Sequence, residues 1–157
     1  MVGIILIFHN NENNLNFDLI TQTLNAASEL HFCLVNNGSL DNTLALLNDV
    51  KQQSKNHISI LDIKKYKSEN FALKSAVRYL NSVEKIVHYG YLAIENDSCF
   101  KAVNTLIHAN NTLPIKLKLP GLLNPKESRL LIKNVFLLRD YLNLILNNEL
   151  QINLHSL

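Results

Sequence analysis

The sequence predicts an α/β fold, a mostly parallel sheet with helices on both faces in three layers (α/β/α). Three observations predict it. Short apolar runs alternate with stretches of helical spacing. The runs are uninterrupted rather than alternating with polar residues, the pattern of strands buried on both faces. Three β-then-α units follow one another, and such units build a parallel sheet by crossover connections. At 157 residues the chain has the length of one domain with a substantial core.

The elements follow in order. Val2 to Phe8 is a short, apolar first strand bounded by an Asn-rich turn. Asn13 to Leu30 carries Leu15, Leu19, Ile20, Leu24 and Ala27 at helical spacing. His31 to Val35 is the second strand, after which Ser39 or Asp41 can cap a helix bearing Leu44, Leu46, Leu47 and Val50. His57 to Ile63 is the third strand. Asn70 to Val83 is the third helix, with Ala72, Leu73, Ala76, Val77 and Leu80 along one side. Lys85 to Leu92 makes a fourth strand, Ser98 to Ala109 a further helix and Pro114 to Leu119 a short fifth strand.

From residue 125 the texture changes, which divides the chain into 1–124 and 125–157. Pro125 suits a first helical turn, and Glu127 lies near the positive end of the helix that follows. Apolar residues from Leu130 to Leu146 cover more than one stripe, so this long C-terminal helix needs burial on two sides. It either crosses the sheet of its own domain or also packs on a partner chain, as in a homodimer. Lys133, Arg139 and Asp140 interrupt it too often for a membrane span.

A net charge of +2 does not by itself call for a polyanionic partner such as nucleic acid. Cys33 and Cys99 fit neither a disulfide framework nor a zinc cluster, and Cys33 reads as a small core residue. The first residues lack a basic leader and a small-residue cleavage site, so they read as a strand and not a signal peptide. A soluble protein of the reducing cytoplasm is the expectation. Gly-x-Ser-x-Gly, a phosphate-cradling glycine loop and a Cys/His cluster are all missing from the sequence.

In parallel sheets ligands bind at the carboxyl ends of the strands, which directs attention to the loops beginning at His9, Asn36, Lys64 and Ala93. "IILIFHNNENNL", "CLVNNGSLDNTLALL", "ISILDIKKYKSENFALKSAVRYL" and "KIVHYGYLAIEND" occur there in that order. Together they resemble the nucleotide-binding half of family 2 glycosyltransferases, which have the Rossmann-like GT-A fold and include the dolichol-phosphate mannose synthases. The likeness spans roughly the first hundred residues, and its order and spacing are more specific than any one motif.

What the resemblance implies is a nucleoside diphosphate sugar, such as a UDP- or GDP-sugar, held by these loops. It further implies Mg²⁺ or Mn²⁺ held by an Asp-x-Asp motif, and a transfer reaction. Gly38, Ser39, Asp41 and Thr43 match the family pattern, and all have structural reasons to stand at a turn and helix start. Asn36 and Asn37 replace its acidic pair. An Asn amide can still accept a hydrogen bond from a base, but carries no charge. Asn10 and Glu12 fall on family positions. His9 can stack on a base or touch phosphate, or be a plain turn histidine, and Glu12 can equally serve the helix dipole. Lys67, with Lys64 and Lys65, can meet a diphosphate or simply be solvated. Ala93, Ile94 and Glu95 align with Asp-x-Asp. A shifted frame makes Glu95 and Asp97 the metal pair, although Asp97 or Ser98 can also cap the next helix. The acceptor half is short, without a clear acidic base. Three readings follow: a minimal glycosyltransferase, a non-catalytic assembly protein derived from that fold, or an unrelated α/β domain.

Overall fold

A computed structural model describes residues 2–83, 85–86, 88–101, 103–104 and 135–140 of the chain. Its elements are β1 (Val2–Phe8), α1 (Phe17–Asn25), β2 (Leu30–Asn37), α2 (Thr43–Gln53), β3 (Ile58–Ile63), α3 (Glu69–Val83), β4 (His88–Ile94) and β5 (Val135–Leu137). Residues 97–101, 103 and 104 are also helical. The strands form one sheet in the order β3-β2-β1-β4-β5, and every pair is parallel. The alternation of apolar runs and helical spacing therefore corresponds to a parallel α/β sheet.

Side chains of a strand point alternately to its two faces, and the core divides accordingly. Ile4, Leu6 and Phe8 of β1 join Phe32 and Leu34 of β2 beneath Ile20 and Leu24 of α1, Leu47 and Val50 of α2, and Phe100. Ile5, Ile7, Cys33 and Val35 face the other way, against Ala72, Leu73, Ala76, Val77 and Leu80 of α3. The small side chains on α3 let that helix lie close to the sheet, as the apolar stripe in the sequence predicts. Cys33 is a core residue, and burial pushes its thiol up to about 12.

Three expectations change. Strand β2 runs on through Asn36 and Asn37, because these residues pair with Asp62 and Ile63 of β3. Strand β4 likewise continues through Ala93 and Ile94, which pair with Ile7 and Phe8. The loops after these strands thus begin at Gly38 and Glu95. Third, Val135–Leu137 is a strand within the stretch that reads as one continuous helix, and only 138–140 of the described residues there are helical. The run Val135-Phe136-Leu137 is apolar, β-branched and aromatic, and periodicity alone does not separate such a run from a helix. Pairing with Tyr89–Tyr91 on the edge of β4 satisfies the backbone groups that face that strand. The rest of the 125–150 helix and the strand expected at 114–119 lie outside the described residues.

Candidate functional site

The four loops at the carboxyl ends of β1 to β4 come together on one edge, and short polar side chains tie them to one another. The loop after β1 is held at both flanks. Asn10 has a left-handed backbone (φ 53°), which Asn tolerates better than most residues. Its N–H donates to Ser39 Oγ at 3.1 Å, and its Oδ1 accepts from the Leu40 N–H at 2.8 Å. Asn11 is buried. Its Oδ1 accepts from the His9 N–H at 2.8 Å, its N–H donates to Thr43 Oγ1 at 2.8 Å, and its Nδ2 donates to the Ile94 carbonyl at 3.2 Å. Asn11 therefore ties the loop after β1 to the end of β4, at the point where the chain order reverses and α/β sheets usually receive ligands.

Glu12 and Asp41 form a reciprocal clasp at the start of α2. Asp41 Oδ2 accepts from the Glu12 N–H at 3.0 Å and its Oδ1 from the Thr43 N–H at 3.0 Å. Glu12 in turn accepts from the Asn42 backbone N–H at 3.1 Å and from Asn42 Nδ2 at 2.6 Å. Thus Asp41, which the sequence offers as a cap, does satisfy a free amide of the first turn. Desolvation pushes the Asp41 carboxyl up, but hydrogen bonds from Thr43 and the Glu12 N–H outweigh it and hold the group below its usual range.

At the tip of β2 the twin asparagines use both halves of their amides. Asn36 Nδ2 donates to Asp62 Oδ1 at 2.8 Å, while its Oδ1 accepts a long bond of 3.4 Å from the Ser39 N–H. Asn37 Nδ2 donates to the Lys67 carbonyl at 2.8 Å, and its Oδ1 accepts from the Lys67 N–H at 3.1 Å. Both residues are only 3% exposed. The strand register explains the first contact, since Asn36 stands opposite Asp62. Asp62 also binds Lys64. That bond, and more weakly the one from Asn36, holds its carboxyl below the usual range against a smaller opposing desolvation. Gly38 follows with φ 67°, and a Cβ there would lie 2.0 Å from the Tyr66 backbone nitrogen. Its conservation of space is what allows the third loop to cross the second.

His9 lies over this crossing. Its Nδ1 sits 3.0 Å from the Asn37 carbonyl and its Nε2 3.2 Å from Asn10 Nδ2. A carbonyl can only accept and an amide NH₂ only donate, so the network assigns the proton of the neutral ring to Nδ1. The Tyr66 ring lies 4.4 Å from the His9 ring, tilted by 47°. Lys67 Nζ is 5.8 Å from the centroid of the Phe71 ring.

Of the residues expected to bind a nucleotide, His9, Asn10, Glu12, Asn36, Asn37 and Lys67 thus share one edge, each with a described partner. The metal pair has a different setting. Glu95 is exposed, whereas Asp97 Oδ1 accepts from the Asn16 N–H at 2.8 Å and braces the start of α1. Asn96, and neither Asp97 nor Ser98, supplies the side-chain oxygen for the Ser98 N–H, at 3.0 Å. Among the described residues no group of three or more His, Cys, Asp or Glu side chains converges as metal ligands would. Sequence reasoning missed Asn11, Asp62 and Tyr66. Only the strand register could have revealed Asp62, and nothing distinguishes Asn11 within an Asn-rich run.

No family model matches the chain, and no curated protein is similar to it in sequence. Among the described residues no helix is long and apolar enough to cross a membrane.

Proposed function

We propose that this chain is a family 2 glycosyltransferase-like domain that binds nucleoside diphosphate sugars at its carboxyl edge without transferring the sugar. The observation that carries this reading is the pair of amides at the tip of β2. Where the resemblance implies carboxylates stand Asn36 and Asn37, whose N–H groups hold Asp62 and the Lys67 carbonyl. An amide fixed in this way supports the loops and adds no negative charge for a metal. The parallel order β3-β2-β1-β4 supports the reading further, because it gathers all four family-like loops at one end of the sheet. We derive no step through Mg²⁺ or Mn²⁺, since one oxygen of Asp97 is engaged with α1 and, among the described residues, no group of three or more His, Cys, Asp or Glu side chains converges. The setting we assign is cytoplasmic.

Calorimetric titration with UDP and GDP, each with and without Mn²⁺, tests this. Binding that is indifferent to Mn²⁺, with no sugar released or transferred from the corresponding nucleotide sugars, is the expected result. Manganese-dependent binding accompanied by transfer would overturn the loss of catalysis. The absence of heat and of any thermal shift at millimolar nucleotide would overturn the binding.

A second reading is favoured by one observation. Leu40 is 94% exposed on the loop after β2, and Tyr66 on the loop after β3 is 62% exposed. A chain that works by association, as a homodimer or docked on a glycosyltransferase or polysaccharide-assembly protein, would cover such side chains. Light scattering showing a strict monomer, alone and with candidate partners, would count against this alternative.

A further inference from the structure

We infer that the nucleotide is held by stacking of its base on Tyr66, with phosphate contacts from Lys65 and Lys67, and hence without discrimination between bases. The inference rests on the nucleotide-binding reading above and specifies how that site recognises its ligand.

Telling one base from another requires directed donors and acceptors that are left unpaired when the wrong base arrives. At this edge those groups are turned toward the protein itself. Asn11, Asn36 and Asn37 are buried, and each bonds within the chain through both its amide nitrogen and its amide oxygen. Both ring nitrogens of His9 are engaged, by the Asn37 carbonyl and by Asn10. Asn10 contributes its oxygen to the Leu40 N–H.

What the third loop of this edge presents to solvent is π surface and positive charge, followed by the exposed Glu69 that opens α3. Tyr66 is 62% exposed and rests against His9 at 4.4 Å. Lys65 and Lys67 flank it in the chain and are exposed, the Lys67 ammonium lying 5.8 Å from the centroid of the Phe71 ring, whereas Lys64 is paired with Asp62. The platform is also fixed before any ligand arrives. Both main-chain groups of Lys67 are clamped by Asn37, and the Tyr66 backbone is seated on Gly38. Pre-ordering of this kind removes part of the entropic cost of binding. Every base has a π face, so stacking tolerates any of them, and lysines meet a diphosphate as point charges whatever base it carries.

The experiment is calorimetric titration of the full chain with UDP, GDP, CDP and ADP, repeated for Tyr66→Ala and Tyr66→Phe. The four dissociation constants are expected to agree within about threefold, and Tyr66→Ala to weaken each by about tenfold while Tyr66→Phe retains binding. Thermal melts of the variants check that this exposed position leaves the fold intact. A preference of about tenfold or more for one base would overturn the inference and leave the nucleotide site standing. So would full binding by Tyr66→Ala. Failure of all four nucleotides to bind the unmodified chain would overturn the site and the inference together.

Discussion

Replacing Asn37 with Asp keeps the shape of the side chain and removes its N–H donors. The carboxylate could still accept from the Lys67 N–H, but an oxygen would then face the Lys67 carbonyl where an N–H now donates at 2.8 Å. A buried acceptor left without its donor costs roughly 1–3 kcal/mol, so Asn37→Asp is expected to lower stability in urea by about that much. An unchanged denaturation midpoint would show that the amide is dispensable. Gly38→Ala should be worse. It combines a positive φ with a Cβ 2.0 Å from the Tyr66 nitrogen, so the third loop must move. That variant should lose stability, measured by thermal melts, and on the proposed function it should lose nucleotide binding as well, measured by titration. The sequence has amides at positions 36 and 37, where the pattern it resembles has acids. It did not show why an amide belongs there, because the reason lies in residues 26 and 30 positions away in the chain.

At the scale of elements, most of the architecture was legible. The apolar runs located β1 to β4, and the spacing of Ala72, Leu73, Ala76, Val77 and Leu80 located α3 and its buried face. Boundaries were less legible, since strand ends depend on the register with a neighbour. The first helix shows this: it begins at Phe17 because Asn16 caps it, its Oδ1 accepting from the Leu19 N–H at 3.1 Å. Asn16→Ala is expected to cost about 1 kcal/mol, read from chemical denaturation. An acidic residue thought of as a metal ligand also proves to have work at this helix, as the Asn16 N–H donates to Asp97. The stretch Val135–Leu137 was misread for a clear reason: an apolar run that closes the edge of a sheet has no period of its own.

For the whole molecule, the web across the carboxyl edge makes acid sensitivity a prediction with a definite sign. Asp41 and Asp62 are both held below the ordinary carboxylate value of 3.8 in the folded chain. The stabilisation they provide is therefore fully present above that value and is lost as pH falls through their lower folded values. Urea denaturation between about pH 7 and about pH 2 should show the loss confined to the acid end, and Asp62→Asn should flatten it. A loss starting near neutrality would assign it to other groups. The parallel fold is a property of patterning and was open to reading from one sequence. The site is a property of which side chains meet across crossovers, and only the folded chain shows that.

The latch at the tip of β2 also bears on how the molecule ages. Asn37 precedes Gly38, and an Asn followed by Gly is the dipeptide most open to attack of the next backbone nitrogen on the side-chain amide carbon, with loss of ammonia. Here that amide is pinned at both ends to Lys67, turned toward the neighbouring loop and sealed from water. Peptide mapping after prolonged warm storage should find Asn37 intact in the folded protein and deamidated once the chain is unfolded. Rapid conversion in the native state would mean that the latch opens often. The bonds that hold this amide in place would thus also set the shelf life of the fold.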